Sequence, residues 1–256
     1  RQAFTTIVKR PYNTHGHAFW QAAFGLAAVD CAQGAGDQAQ ALSDSLFATA
    51  WEMGGVNVLE KAQALRAFVA LLHGQRTEAQ RWAATYDRTQ LLAPMSMFYT
   101  APLVLARILV DTAAPHNFAD AEEWIDTIDR FSRETFNVRV QIEMQALRAL
   151  LRAQCGKHTD ALALLAEAVH LAAPGGLVRV FADLGAAVTP LLTELAEQEK
   201  DAEFVRKILQ CLPPALDSVN VPLPVLTPSH FSHPADGADA NEHNEFIEAL
   251  TRREVE

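Results

Sequence analysis

The sequence predicts an all-α protein, a solenoid of stacked antiparallel helical hairpins. Three observations predict this fold class: apolar residues recur at helical spacing, turn signals recur at a regular interval, and no convincing period-two alternation indicates a strand. The chain has 256 residues, of which half are hydrophobic and a fifth are charged, so it can bury a substantial core.

Helical spacing is clearest in four segments of the chain. In each of them apolar side chains occupy positions i, i+3, i+4 and i+7, which together form one stripe along a helix. These segments cover residues 79–86, 162–169, 188–195 and 205–212. We therefore predict a helix at each, packed through its apolar stripe.

Turns join the predicted helices in pairs, and they recur about 40 residues apart, an interval typical of repeat proteins. They lie near Gly34–Gly36, at Gly74, near His116 and at Gly156. Glycine ends a helix by adopting the left-handed conformation, and a short turn then makes the two helices run antiparallel. We expect four such hairpins across about residues 17–172.

Two of the turns also resemble each other in sequence. Gly74-Gln-Arg-Thr-Glu-Ala79 matches Gly156-Lys-His-Thr-Asp-Ala161, and the small alanine five residues after each glycine lets the paired helices approach closely. This pattern resembles tetratricopeptide-type repeats, although most of their signature aromatic positions are not filled. The resemblance implies a right-handed superhelix of helical hairpins.

Polar residues and prolines mark further boundaries. We predict helix N-caps at Asn57 and Asn117, each followed by an acidic residue three positions on, and at Thr189, which precedes a proline. Residues 213–245 contain six prolines and no apolar stripe, so they cannot bury enough apolar surface to offset their ordering entropy. We predict a Pro-rich linker there, with helical character returning over 246–256.

Charge and motifs exclude several function classes. The formal net charge of −10 argues against unaided nucleic-acid binding by most of the chain, because acidic surfaces repel phosphate backbones. The sequence has no phosphate loop, nucleophile elbow or zinc-protease motif, so we predict neither an enzyme nor a cofactor in this chain. No segment approaches the ~20 apolar residues of a membrane-spanning helix.

The cysteine and histidine patterns predict neither disulfide bonds nor a metal site. The odd number of widely spaced cysteines, Cys31, Cys155 and Cys211, fits a reducing cytoplasm better than a disulfide framework. His15 and His17 flank a glycine but have no third ligand nearby, so we predict no metal site.

Two stretches of the sequence are more distinctive than the rest. One is Pro174-Gly-Gly-Leu-Val-Arg-Val-Phe-Ala-Asp-Leu-Gly185 with the apolar helix after it, and the other is the ending Leu250-Thr-Arg-Arg-Glu-Val-Glu256. The first resembles the end of the sensor region in MalT-like, ATP-dependent LuxR-family transcription regulators. The same region is resembled upstream by Gln145 to Leu150 and by Pro94, Tyr99, Leu103, Leu105, Ala106 and Leu109. The second resembles the opening of a LuxR-type helix-turn-helix domain, cut off within its first helix.

This resemblance implies a specific function for the chain. Residues 1–212 would form the tetratricopeptide-like sensor domain, which binds a small-molecule inducer or a regulatory protein and thereby controls self-association and transcription activation. ATP would be bound and hydrolysed in a domain absent from this chain, and DNA would be bound only through the missing C-terminal domain. The chain begins at Arg1 rather than Met, which fits a piece of a longer protein. The alternative is a free-standing tetratricopeptide-like scaffold whose groove binds a protein or peptide.

Candidate ligand contacts follow from the repeat pattern. In tetratricopeptide-like stacks the first helices of the hairpins line the concave surface, where aromatic and arginine side chains are plausible contacts. We expect the first helix of the third hairpin to begin with Met95-Ser-Met-Phe-Tyr99. The candidates, each assigned to a first helix, are Trp20, Arg66, Tyr99, Arg107, Glu143 and Arg148. The competing interpretation is that the aromatic rings pack between repeats and that the charged groups are solvated.

Overall fold

The computed structural model describes residues 1–9, 16–89, 99–197 and 201–212. In these residues the chain forms twelve α-helices and no strand, which confirms the all-α prediction. Their bounds are α1 Gln2–Val8, α2 Gly16–Ala32, α3 Gly36–Met53, α4 Val56–Leu72, α5 Arg76–Thr85, α6 Ala101–Asp111, α7 Phe118–Glu134, α8 Val138–Gln154, α9 His158–Ala172, α10 Val178–Ala182, α11 Thr189–Ala196 and α12 Ala202–Cys211. None of the helices among these residues is long and apolar enough to cross a membrane.

Four hairpins form where the sequence predicts them, namely α2–α3, α4–α5, α6–α7 and α8–α9. The turn after α4 illustrates why. Gly74 has φ +71°, and the amide of Gln75 donates to the carbonyl of Ala70 at 2.8 Å, closing the helix end. Gly156 repeats this geometry after α8, with φ +73°. The glycines therefore end the first helices by the predicted mechanism.

The predicted close approach of paired helices is also present. Ala79 and Ala161 are fully buried in the second helices of their hairpins. In the other two hairpins, Ala39 lies five residues after Gly34 and Ala121 lies five residues after His116, and both are buried. The alanine position is thus shared by all four hairpins, including those whose turn sequences differ.

The hairpins stack in two layers. The first helices α2, α4, α6 and α8 pack on one another in chain order, and the short helix α10 continues this layer against α8. Each second helix of the first three hairpins packs between its own first helix and the first helix of the next hairpin. The core runs through these contacts, with Leu65, Phe68, Leu105, Ile142 and Leu147 among its buried side chains.

The C-terminal helices close one end of this stack. After α9 the chain turns through Ala173–Gly175 into α10, and α11 then packs on α9 and on α12. Two histidine–carboxylate contacts join these elements, His158 Nε2 to Glu194 Oε2 at 2.7 Å and His170 Nδ1 to Asp201 Oδ2 at 3.0 Å.

Several boundaries differ from their prediction. Helix α4 begins with Gly55 as its N-cap, so Asn57 lies inside the helix, and Val188 rather than Thr189 caps α11. Helix α6 begins at Ala101, so Tyr99 precedes the third first helix instead of belonging to it. Pro102 suits this start, because the first turn of a helix needs no backbone N–H donor and proline has none.

The N-terminal helix α1 was not expected from the sequence. It has seven residues, which are too few to show the i to i+7 apolar spacing, and none of them is buried. It packs on α2, where a Cβ atom added at Gly25 would lie 2.8 Å from the ring of Phe4. The predicted linker 213–245, the helix-turn-helix start 246–256 and Met95 lie outside the described residues.

Candidate functional site

The first-helix layer contains a mostly buried site centred on one tyrosine. Phe24 of α2 and Phe68 of α4 face each other, with ring centroids 5.6 Å apart. The ring of Tyr99 stacks on Phe24, with centroids 5.7 Å apart and planes inclined by 7°, and it meets Phe68 at 5.4 Å. Tyr99 thus brings the segment before α6 against the first helices of the two preceding hairpins.

One glutamine side chain holds the backbone of this tyrosine. The amide nitrogen of Gln21 donates to the carbonyl oxygen of Tyr99 at 2.6 Å, and the backbone N–H of Tyr99 donates to Oε1 of Gln21 at 2.9 Å. The next residue, Thr100, is extended, with φ −142° and ψ 156°. The main chain at Tyr99 is therefore satisfied by α2 rather than by a helix of its own.

The phenol of Tyr99 reaches the far end of the layer. Its hydroxyl donates to Oδ2 of Asp183 at 3.0 Å, and Asp183 also pairs with Arg179 one turn earlier, on α10. Burial and the charge of Asp183 raise the pKa of Tyr99 above its ordinary value, against a smaller opposing effect of Arg107. The phenol consequently stays protonated and acts as the donor.

An ion triad lies beside the tyrosine. Arg107 of α6 donates through Nε to Oε1 of Glu143 at 2.7 Å, and Oε2 of Glu143 is 3.1 Å from Nη1 of Arg139. Both Arg107 and Glu143 are almost inaccessible, with side chains 4% and 0% exposed. The guanidinium of Arg107 also lies 5.5 Å from the ring centroid of Phe68 and 6.0 Å from that of Tyr99.

The ion pairs within the triad keep its buried groups ionised. Burial works to raise the pKa of Glu143, but the charges of Arg107 and Arg139 outweigh it and hold that pKa below its ordinary value. Burial likewise works to lower the pKa of Arg107, and the carboxylates of Glu143 and Asp183 outweigh it, so the pKa is raised. Arg107 and Glu143 are therefore both charged. The Nη1 atom of Arg107 finds no hydrogen-bond partner among the described residues.

We call this assembly the Tyr99 cluster. Its members come from all five helices of the first-helix layer and are Gln21, Phe24, Phe68, Tyr99, Arg107, Arg139, Glu143, Arg179 and Asp183. Three arginines and two carboxylates give it a net charge of +1 in a chain of net charge −10. Arg139 and Arg179, with side chains 15% and 46% exposed, connect the buried charges to the surface.

This chemistry suits binding rather than catalysis. Guanidinium groups, a carboxylate and stacked rings recognise polar or aromatic groups of a ligand. Within the described part of the chain no group of three or more His, Cys, Asp or Glu residues could hold a metal ion.

Comparison with known families decides what kind of module this is. Residues 6–198 match the model of the MalT-like TPR region. The chain belongs to this family. Neither curated proteins nor solved structures gave a match. A MalT-like TPR region is a helical repeat and is not catalytic in itself, which agrees with the binding chemistry of the Tyr99 cluster.

Three of the six predicted contact residues come together in this MalT-like TPR region. Tyr99, Arg107 and Glu143 meet in the Tyr99 cluster, although Tyr99 does so from outside a helix. Trp20 is a buried residue of α2 whose ring meets Phe19 edge-on at 5.5 Å. Among the described residues, no aromatic ring pair joins Trp20 to the Tyr99 cluster.

The other two predicted residues face the second helices. Arg66 of α4 pairs with Asp44 of α3 at 3.2 Å and with Glu78 of α5 at 3.4 Å, and it lies over the ring of Phe47. Arg148 of α8 pairs with Asp126 of α7 at 2.6 Å. Both join a first helix to its neighbours in the second layer.

Sequence reasoning missed six members of the cluster, namely Gln21, Phe24, Phe68, Arg139, Arg179 and Asp183. A usable signal existed for the three charged residues among them, because Arg139–Glu143 and Arg179–Asp183 each have the i, i+4 spacing of helix ion pairs. Gln21 and Phe24 carry no comparable signal, since a glutamine or a phenylalanine on a helix has many ordinary roles.

Proposed function

We propose that this chain is the inducer- or partner-sensing domain of a LuxR-type, MalT-like transcription regulator in the cytoplasm. Its ligand controls self-association of the regulator and hence transcription activation, with ATP and DNA bound by other domains of the same protein. Membership of the MalT-like TPR region family supports this assignment. The observation that carries it is the Tyr99 cluster.

The buried charges of the cluster are better explained by ligand binding than by fold stability. Burying charged groups stabilises a fold poorly, since desolvation offsets most of the attraction between them. A purely structural core at the same place would be served as well by apolar residues. The fully buried Glu143 and the unpartnered Nη1 of Arg107 are instead suited to a polar ligand group.

The cluster also has the position of a signal relay. It joins α2 and α4 at one end of the first-helix layer to α10 at the other, through Tyr99 and Asp183. Helix α10 in turn packs on α12, next to the C-terminal end of the domain. A ligand that binds the cluster in one arrangement of α10 better than in another shifts the population between them.

Ligand-dependent stabilisation tests this proposal. The purified chain is heated with a panel of sugars, carboxylates, phosphate esters and short peptides, because a compound that binds only the folded state raises the melting temperature by mass action. At a hundredfold excess over Kd the gain is about 2.7 kcal/mol. We expect at least one compound class to stabilise the chain.

Two matched arginine variants locate the effect. Arg179→Ala removes an exposed arm of the cluster, whereas Arg76→Ala removes an exposed arginine that pairs with Asp111 at 2.7 Å elsewhere on the surface. The stabilisation should fall in Arg179→Ala and persist in Arg76→Ala. If every active compound stabilises both variants equally, the Tyr99 cluster is not the sensing site.

A further inference from the structure

Tyr99 is held in the way that a groove holds a bound peptide. Its backbone N–H and C=O both pair with Gln21, a residue 78 positions away, and the following residue is extended. Peptide grooves obtain affinity from main-chain hydrogen bonds and specificity from pockets for individual side chains. The contacts of Tyr99 divide in the same manner.

The side chain of Tyr99 fills such a pocket. Phe24 and Phe68 contact its ring, the guanidinium of Arg107 lies 6.0 Å from the ring centroid, and Asp183 accepts from its hydroxyl. Phe24, Phe68 and Arg107 belong to α2, α4 and α6, and Asp183 is the residue that follows α10. The pocket is therefore built by the repeat stack, and Tyr99 enters it from a connection between hairpins.

We propose that this pocket is a receptor for an extended segment of a partner protein that carries a tyrosine, and that Tyr99 is its internal occupant. The partner's tyrosine replaces Tyr99 between Phe24 and Phe68, and its backbone takes over the two hydrogen bonds to Gln21. This inference rests on the proposed function, whose ligand it names. Occupation by Tyr99 keeps the sensor closed to other segments until that partner is present.

The chemistry of the pocket fixes the class of side chain. Asp183 requires a hydroxyl donor at the end of the ring, which tyrosine has and phenylalanine lacks. A phosphotyrosine would instead place a charge of about −2 next to Asp183 and lose the donor. The receptor is thus expected to prefer the unmodified tyrosine.

Competition with the internal occupant makes the inference testable. An intramolecular segment acts at an effective concentration in the millimolar range, so removing it should expose the pocket to a peptide in trans. The probe is a fluorescent peptide, Ser-Met-Phe-Tyr-Thr-Ala-Pro, which copies residues 96–102 of the chain. Its Kd is measured by fluorescence anisotropy with the whole 256-residue chain and with Tyr99→Ala.

We expect Tyr99→Ala to bind this peptide at least tenfold more tightly than the unmodified chain does. Replacing the peptide's tyrosine by phenylalanine should weaken binding severalfold, and replacing it by alanine should abolish it. In the Tyr99→Ala background, Gln21→Ala should weaken binding about tenfold. The control Gln40→Ala removes a partly exposed glutamine that pairs with Asp44 and should leave binding unchanged.

Three results would overturn the inference. They are a folded Tyr99→Ala that binds no better than the unmodified chain, binding that is insensitive to Gln21→Ala, and tighter binding of the phosphotyrosine peptide. If Tyr99→Ala does not fold, Tyr99→Phe replaces it, because its occupant lacks the bond to Asp183 and should yield to the peptide more readily. Unchanged affinity in Tyr99→Phe would then count against the receptor.

The two proposals fail separately. A metabolite whose stabilisation depends on Arg179, together with no peptide binding in Tyr99→Ala, would retain the sensor and remove the peptide receptor. Peptide binding that depends on Gln21 would support both the sensing function and the peptide receptor.

Discussion

Glu143 is the residue on which the charge balance of the core depends. It is fully buried and compensates two arginines, Arg107 at 2.7 Å and Arg139 at 3.1 Å. Removing one partner of a buried ion pair is far more costly than removing one at the surface, because the remaining charge is left without compensation.

We predict that Glu143→Gln lowers the free energy of unfolding by about 3–5 kcal/mol, since it leaves Arg107 buried beside a neutral amide of similar volume. Urea unfolding followed by circular dichroism measures the change. The control is Asp126→Asn, which neutralises an exposed partner of Arg148 and should cost at most about 1 kcal/mol. Comparable losses in the two variants would show that the triad is not desolvated.

The depressed pKa of Glu143 also gives a pH dependence. Because the folded-state pKa lies below the ordinary value of 4.5, the carboxylate contributes stability that is present above that value and is lost as the pH falls through the folded-state pKa. We predict that the stability gap between the unmodified chain and Glu143→Gln narrows as the solution is acidified below 4.5. Melting temperatures of both proteins across this range measure it, and a gap that widens would contradict the assignment.

At the scale of elements, the hairpin depends on how closely its two helices approach. Ala161 of α9 is fully buried, whereas Ala163 on the same helix is exposed. We predict that Ala161→Leu destabilises the chain by about 1–3 kcal/mol, because the larger side chain forces α8 and α9 apart. Ala163→Leu is the control and should stay within about 0.5 kcal/mol. Equal effects in urea unfolding would mean that the α8–α9 contact is loosely packed.

At the scale of the whole molecule, the Tyr99 cluster departs from nearest-neighbour stacking. In most solenoids each repeat contacts only its neighbours, so mutations in distant repeats are independent. Here Gln21 of the first hairpin and Asp183 after the fourth both bind Tyr99. Tyr99 therefore connects two ends of the first-helix layer directly.

We predict a coupling energy of about 0.5–3 kcal/mol between Gln21→Ala and Asp183→Asn, since both act through one tyrosine. A double-mutant cycle by urea unfolding measures it. The pair Gln21→Ala and Arg76→Ala serves as control and should be additive within about 0.5 kcal/mol, because Arg76 pairs with Asp111 whereas Gln21 binds the backbone of Tyr99. Additivity in both cycles would show that Tyr99 does not couple the two ends of the layer and that each repeat interacts only with its neighbours.

The sequence by itself determined the helical hairpins and their repeat. Apolar spacing, turn glycines such as Gly74 and the alanine five residues later act within one or two turns of helix, so their consequences are local. The sequence determined the ends of the helices less well, because a cap is formed by one residue and a neighbouring residue can take its place. Asn57, for example, lies inside α4 while Gly55 caps it.

Only the tertiary structure decided which residues form the candidate site. Arg66 and Arg107 both belong to first helices, yet Arg66 faces the second helices and Arg107 faces the cluster. The difference comes from the rotation of each helix about its axis, which is set by packing against helices far away in sequence. The contact of Tyr99 with Asp183, 84 residues apart, likewise exists only because the packing of the four first helices and α10 brings residues distant in the sequence together.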